Sequence, residues 1–384
     1  MSYNYLSYIK IKRIMNLDFS DDQKFLQAEA RKFLEKENAL SRNRKILESD
    51  GHVDQDLWNK IVELGWTGIR IPEKYDGLGL GHLELCVIAE ELGRFLAPVP
   101  FSSSVYLFTE AIINFASDDI KKDLLPKLVT GEVVGTLAVT EDLMAPTKDN
   151  INTSVENGLL NGKKIAVPDV GIATHVIVVT KTSNGTSLEL VDLSSDGISI
   201  ENQENLDESR GYFSINFENT NSIQIGDNIT GWELYENLIN NAAVLFSYEQ
   251  IGGAQATLDM AINYANERYA FGRPIGSFQA IKHKLADMYI SLTLAKSNCY
   301  YAAWALSTND SDLPSASATA RVSATKAFQL CSKENIQTHG GNGFTWEYDC
   351  HMFYRRSKLL SLNIGSIGNW REKLVTSLEQ SNIN

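Results

Sequence analysis

The sequence predicts an α+β chain in three parts: an N-terminal helical domain, a middle β-barrel or sandwich, and a C-terminal four-helix bundle. Three observations carry this. Between residues 20 and 128 the apolar residues follow helical spacing; near Gly135 the period switches to short β-rich runs; from Trp232 onward long helical patterns return. The expected boundaries are a disordered tail at 1–15, the helical domain at 16–134, the β domain at 135–231 and the bundle at 232–384.

The first fourteen residues, MSYNYLSYIKIKRI, are basic and tyrosine-rich and lack the apolar core and small-residue cleavage site of a secretory signal. Met15, followed by Leu17, Asp18 and Phe19, reads as a more natural start, because Ser20 and Gln23 then make a capping box. Leu26, Ala30, Phe33 and Leu34 share one helical face, and Leu57, Ile61 and Leu64 share another. Gly77, Gly79 and Gly81 follow no predicted strand and lack GxGxxG spacing, so they read as a tight turn into a helix over 82–95. Pro98 and Pro100 end that helix and make a stiff connector.

Strand-like runs follow at 136–140, 159–167, 176–180, 188–191 and 213–217, with Asn157-Gly158 and Asn161-Gly162 as turns between them. One long helix then spans 232–269, and Gly272, Pro274 and Gly276 break it from a second. Ser277 is expected to cap that second helix, which runs to about 306 with Ile281, Leu285, Met288, Leu292, Ala295 and Cys299 as a bundle seam. A third helix is expected over 314–338 and a fourth over 348–364, before a short tail helix.

The composition excludes several functions. With 384 residues and 43% hydrophobic content the chain can bury a large core. A net charge of -13 and a pI near 5.0 give no electrostatic support for nucleic acid, and no apolar run reaches membrane-spanning length. Cys86, Cys299, Cys331 and Cys350 lie far apart with no CxxC, which fits buried thiols in a reducing cytoplasm. The six histidines form no ligand cluster, so no metal site is expected.

Two stretches carry chemistry. Arg268, Phe271, Gly272, Ile275 and Gln279 stand at fixed offsets in ERYAFGRPIGSFQ, and Gln337, Gly340, Gly341, Gly343 and Phe344 do so in QTHGGNGF. Together they resemble the acyl-CoA dehydrogenase family, whose R-x-x-F-G-x-x-[IL]-x-x-x-Q and Q-x-x-G-G-x-G-[FY] segments have this order and separation. The resemblance spans residues 17–378 and matches the fold order above. It implies FAD as cofactor, an acyl-CoA thioester as substrate, an electron-transfer flavoprotein as acceptor, and a homo- or heterotetramer of homologous subunits in which each FAD lies between two of them.

That resemblance also implies where each role should lie. A carboxylate base must take the weakly acidic α-proton while the flavin accepts hydride. The family's usual base falls on Ile364, followed by Gly365 and Ser366; its alternative address on the earlier helix falls on Ala242, beside Ala243 in place of an arginine. Both addresses lack a carboxylate, and Glu249 and Asp142 are the substitute candidates. On the side that holds the flavin ring, Val139, Thr140 and Glu141 match the family's V-T-E, but Asp142, Leu143, Met144 and Ala145 replace the glycines and serine that should follow. Ala166 and Pro168 replace a tryptophan and a threonine. On the side lent to a neighbour's flavin, Arg268, Phe271, Gln279, Gln337, Gly340 and Gly341 are intact. An arginine and paired glycines suit a pyrophosphate, through charge and close backbone approach. Three readings follow: a partner subunit in a mixed tetramer, a self-sufficient enzyme with another base, and a flavin-free scaffold.

Overall fold

The structure, a computed structural model, describes residues 18–49, 51–226 and 231–383. The expected tail at 1–15 and the start at Met15 lie outside the described residues. The N-terminal helices are α1 (Asp21–Lys36), α2 (Ala39–Leu47), α3 (Gln55–Glu63), α4 (His82–Arg94), α5 (Glu110–Phe115) and α6 (Asp118–Val129), with a buried π-helical segment (Ser102–Thr109) before α5. The capping box forms: the Gln23 amide donates to Ser20 Oγ at 3.2 Å, and the Ser20 amide donates to Gln23 Oε1 at 2.9 Å. Leu64 departs from its expected face, because the helix stops at Glu63 and the chain turns through Gly65, leaving the leucine 47% exposed. Gly77, Gly79 and Gly81 form the turn into α4, where the Glu84 carboxylate accepts the Gly81 amide at 2.9 Å.

Glu110, at the start of α5, is fully buried between the Arg70 guanidinium (2.9 Å) and His82 Nε2 (3.3 Å). Burial pushes its carboxyl up, but the His82 and Arg70 hydrogen bonds and charges overcome this and hold it at about 2. A folded-state pKa below the unfolded value means stability present above about pH 4.5 and lost as pH falls toward 2. We expect urea unfolding of wild type to weaken by roughly 3 kcal/mol across that window, with Glu110→Gln flattening the slope. Equal acid limbs in the two proteins would contradict this assignment.

The middle region is one mixed sheet: β1 (Gly135–Ala138), β2 (Ser154–Glu156), β3 (Leu159–Pro168), β4 (His175–Thr182), β5 (Gly185–Asp192), β6 (Ile198–Gln203), β7 (Tyr212–Asn221) and β8 (Ile223–Ile225). Its order is β6-β7-β3-β2-β4-β5-β8, with β1 parallel to β4. Leu160, Val167, Val176, Val178, Ile215 and Phe217 form a core of its own. Asn157-Gly158 is the expected two-residue turn, with φ of 53° and 78° closing the β2–β3 hairpin. Asn161-Gly162 is not a turn. It lies inside β3 at a register shift, where the Asn161 side-chain oxygen takes the Asn219 amide at 2.8 Å.

The C-terminal helices are α7 (Gly231–Glu267), α8 (Gln279–Thr308), α9 (Leu313–His339), α10 (Cys350–Leu360) and α11 (Ile367–Ile383). On α8, Met288, Leu292, Ala295 and Cys299 are buried as the seam predicts, while Ile281 and Leu285 are only half-buried. Ser277 does not cap α8: it sits in a 3-10 turn and donates to the Pro274 carbonyl at 2.7 Å, and the helix begins two residues later. The expected fourth helix is the short α10, and the tail helix α11 is longer, at 17 residues, anchored by buried Trp370. Helices α4 and α7 cross closely: a Cβ on Gly252 would stand 1.8 Å from the Glu90 carbonyl oxygen. No helix among the described residues is long and apolar enough to cross a membrane.

Candidate functional site

A cleft of about 1350 Å³ opens where the end of β1, the bulge in β3, the start of α7 and the α10–α11 connection meet. Thr140 and Asp142 line it from the strand end, Ala166 and Pro168 from β3, and Ile364, Gly365 and Ser366 from the connection. These positions, widely separated in the sequence, thus line one cavity. Ile364, where the sequence resemblance places the family's base, is buried, with its carbonyl accepting the Trp370 indole N–H at 3.1 Å. Ala166 has φ 51° and donates its amide to Gln203 Oε1 at 2.8 Å, so the β3 bulge brings no more than a methyl group to the cleft at this position.

Glu141 ties the cleft rim to the sheet. Its carboxylate takes the Lys164 ammonium at 2.7 Å and the Asn152 and Thr153 amides at 2.7 and 2.9 Å. Burial brings Lys164 down to about 8 against the raising effect of Glu141. Beyond Glu141, Asp142 is exposed and accepts the Met144 amide at 2.7 Å, while Leu143 and Met144 project into solvent at the cleft mouth.

Glu249 does not reach this cleft. It is buried deeper in α7, with Arg356 Nη1 at 3.9 Å, and burial pushes its carboxyl up while Arg210, Arg356 and Arg321 pull it down. Ala242 and Ala243 are likewise fully buried, and the last α7 residue on the cleft wall is Asn240. As a candidate base Glu249 is therefore corrected: a base needs hydrogen-bond reach of the substrate proton. It belongs instead to a buried ionic lattice. Arg210 holds Asp169 and Ser102, while Arg356 holds Asp207 and Ser209, the latter also bonded by Asn43 at 3.0 Å. Helical spacing did not reveal the carboxylates that line the cleft from α7. These are Glu233 and Glu236, and Glu236 Oε1 lies 3.6 Å from the half-buried Lys373 of α11.

The second set assembles at the other end of α7. Tyr264, one turn before Arg268, stacks on His339 at 4.0 Å and receives the Asn342 side-chain amide at 3.2 Å, joining the two motif stretches. Arg268, Phe271, Gln279, Gln337, Gly340 and Gly341 are all exposed there, Phe271 by 96%. A Cβ on Gly340 or Gly341 would meet nothing within 4 Å, so the backbone of this turn faces open space. None of these six lines the cleft.

Residues 20–132 match the family model for the acyl-CoA dehydrogenase N-terminal domain, and residues 230–372 match that for the C-terminal domain. A mitochondrial isovaleryl-CoA dehydrogenase of Solanum tuberosum is 30% identical over 370 residues, covering 91% of this chain and 89% of the relative. The chain belongs to the acyl-CoA dehydrogenase family. The CarC subunit of the caffeyl-CoA reductase-Etf complex of Acetobacterium woodii is 28% identical over 369 residues, covering 91% and 96%. A solved variant of the Tcur3481-Tcur3483 steroid ACAD superposes with a TM-score of 0.86 at 26% identity, covering 94% of this chain and 99% of that one. The fold expected from the sequence is thus that of the family, whose members are FAD-dependent oxidoreductases acting on CH–CH groups.

The residues present fit FAD unevenly. The exposed Arg268 and the open glycine turn suit an anion approaching from outside the chain. The cleft offers volume and Thr140, but Ala166 and Pro168 supply neither an aromatic cover nor a hydroxyl to the ring.

Proposed function

We propose that this chain is a partner subunit that completes an FAD site in a mixed tetramer, where the neighbouring chain supplies the base and an acyl-CoA is oxidised to the 2-enoyl-CoA. The observation that carries this reading is an asymmetry. The cleft has Ile364 at the family's base position and Ala166 at its ring cover, whereas Arg268, Gln279, Gln337 and the Gly340-Gly341 turn stand complete and exposed. FAD, when bound, supplies the hydride acceptor. The part played by this chain is electrostatic and positional: Arg268 offers a forked donor to phosphate, and the glycine backbone admits a close approach. The neighbour named by a paired steroid ACAD and the relative named within an Etf complex support mixed subunits and an electron-transfer flavoprotein as acceptor. Four buried, unpaired cysteines support a cytoplasmic location.

The test is flavin content. Purified alone, the chain is expected to carry well under one FAD per chain after gel filtration; co-expressed with a homologous subunit that has the glutamate, the complex is expected to be stoichiometrically yellow. A full flavin spectrum from the lone chain would overturn the partner reading. It would favour a self-sufficient enzyme, for which Glu233 and Glu236 on the cleft wall and Asp142 at its mouth are the candidate bases.

A further inference from the structure

We infer that Arg44, Glu48 and Trp346 form a clamp that positions the Gly340-Gly341 turn for a neighbour's flavin, with Arg44 on α2 and Glu48 at its C-terminal cap as positioning residues; this rests on the partner-subunit reading above. The turn (Gly340–Phe344) is short and rich in glycine, with Gly340, Gly341 and Phe344 exposed, so local sequence does little to fix it. It is held from both ends. Before and within it, His339 stacks on Tyr264 and the Asn342 side-chain amide donates to the Tyr264 and Tyr348 hydroxyls at 3.2 and 3.4 Å.

After it, the chain is pinned at Trp346 by groups from distant parts of the sequence. Arg44 donates to the Trp346 carbonyl and to the Asp349 carboxylate, and the Trp346 indole N–H donates to Glu48 Oε1 at 2.8 Å. The same indole stacks on His351 at 4.3 Å with planes 17° apart, and the Arg44 and Arg355 guanidinium carbons lie 6.0 and 5.8 Å from its centre. Arg355 in turn donates to the Leu206 carbonyl at 2.9 Å, so the sheet region also contributes. A surface aromatic that is 44% exposed has little burial to hold it, and these directed contacts from α2, α10 and the β6–β7 connection take that place. A rigid turn binds a ligand without first losing its own conformational freedom, which is why the clamp bears on flavin affinity.

The experiment compares Arg44→Met and Glu48→Ala with Arg268→Ala. Hydrogen exchange of the peptide covering 340–346 in the full chain is expected to speed up roughly tenfold in the first two variants, the equivalent of one charge-assisted hydrogen bond, with the melting temperature little changed. Unchanged exchange in both would overturn the clamp. In the co-expressed complex, FAD retention through gel filtration is then compared. Loss in Arg44→Met, Glu48→Ala and Arg268→Ala supports the inference. Loss in Arg268→Ala alone overturns the positioning role while the proposed function stands. No loss in any of the three overturns both.

Discussion

Replacing Arg356 with alanine is expected to destabilise the fold by about 3–5 kcal/mol. The side chain is 1% exposed, donates to Asp207 and to Ser209 Oγ (2.9 Å), and lies 3.9 Å from Glu249. Asp207 and Glu249 are themselves buried, at 2% and 4% exposure, so truncation strands carboxylates where water cannot solvate them. The damage also spreads across the three parts of the chain. Ser209 is bonded by Asn43 from α2, and Asn43 also donates to the Leu96 carbonyl at 2.7 Å, so loss of Arg356 loosens α10, the sheet region and the N-terminal helices together. The neighbouring Arg355 provides the control. It is half-buried, donates to the Leu206 carbonyl at 2.9 Å and lies over the Trp346 ring without a buried carboxylate to strand, and Arg355→Ala should cost about 1 kcal/mol. Urea unfolding of both variants measures the difference, and equal losses would contradict the lattice account.

Arg268→Ala is expected to lower FAD retention by the co-expressed complex roughly ten- to a hundredfold, since a charge-assisted contact to phosphate is worth about 1.5–3 kcal/mol. The fold should survive, because the Arg268 side chain is exposed and the backbone bonds around it, Arg268 amide to Tyr264 carbonyl at 2.9 Å and Ile275 amide to Arg268 carbonyl at 2.8 Å, do not depend on its identity. Arg268→Lys should fall between, keeping the charge and losing the fork. The flavin-free scaffold predicts a different result: FAD content unchanged and only subunit association weakened. Absorbance of the gel-filtered complex, read beside its elution volume, separates the two.

How much of this was legible beforehand varies with the element. The switch of period near Gly135 and its return at Trp232 follow from alternate burial in strands and one-sided burial in helices, and they locate the sheet between two helical regions. The strands β2, β6 and β8 escaped because they are short and largely exposed, so no alternation marks them. Asn161-Gly162 has turn composition yet lies inside β3, because strand β7 supplies partners across the bulge that sequence alone does not show. The tail helix was underestimated for a similar reason: its anchor is Trp370, buried by contacts from elsewhere in the fold.

For the site, the sequence by itself determined which groups are present. It showed that position 364 carries no carboxylate, that positions 166 and 168 carry an alanine and a proline, and that Arg268, Gln337 and the paired glycines are present. Residue identity decides such points without coordinates, since an isoleucine has no group to take a proton. Only the tertiary structure decided direction and reach. In α7 every residue from 242 to 254 is buried, so the helix has no solvent face from which the orientation of Glu249 could be read. Its arginine partners come from positions 210, 321 and 356, brought together by packing alone. The same holds for Glu236 and Lys373, which share the cleft wall at 3.6 Å across 137 positions of sequence, and for Arg44 and Trp346, joined over a separation of 302. Helical and strand periods report which face of a local element is buried; contacts between distant elements depend on how those faces stack, and that is set by the whole core.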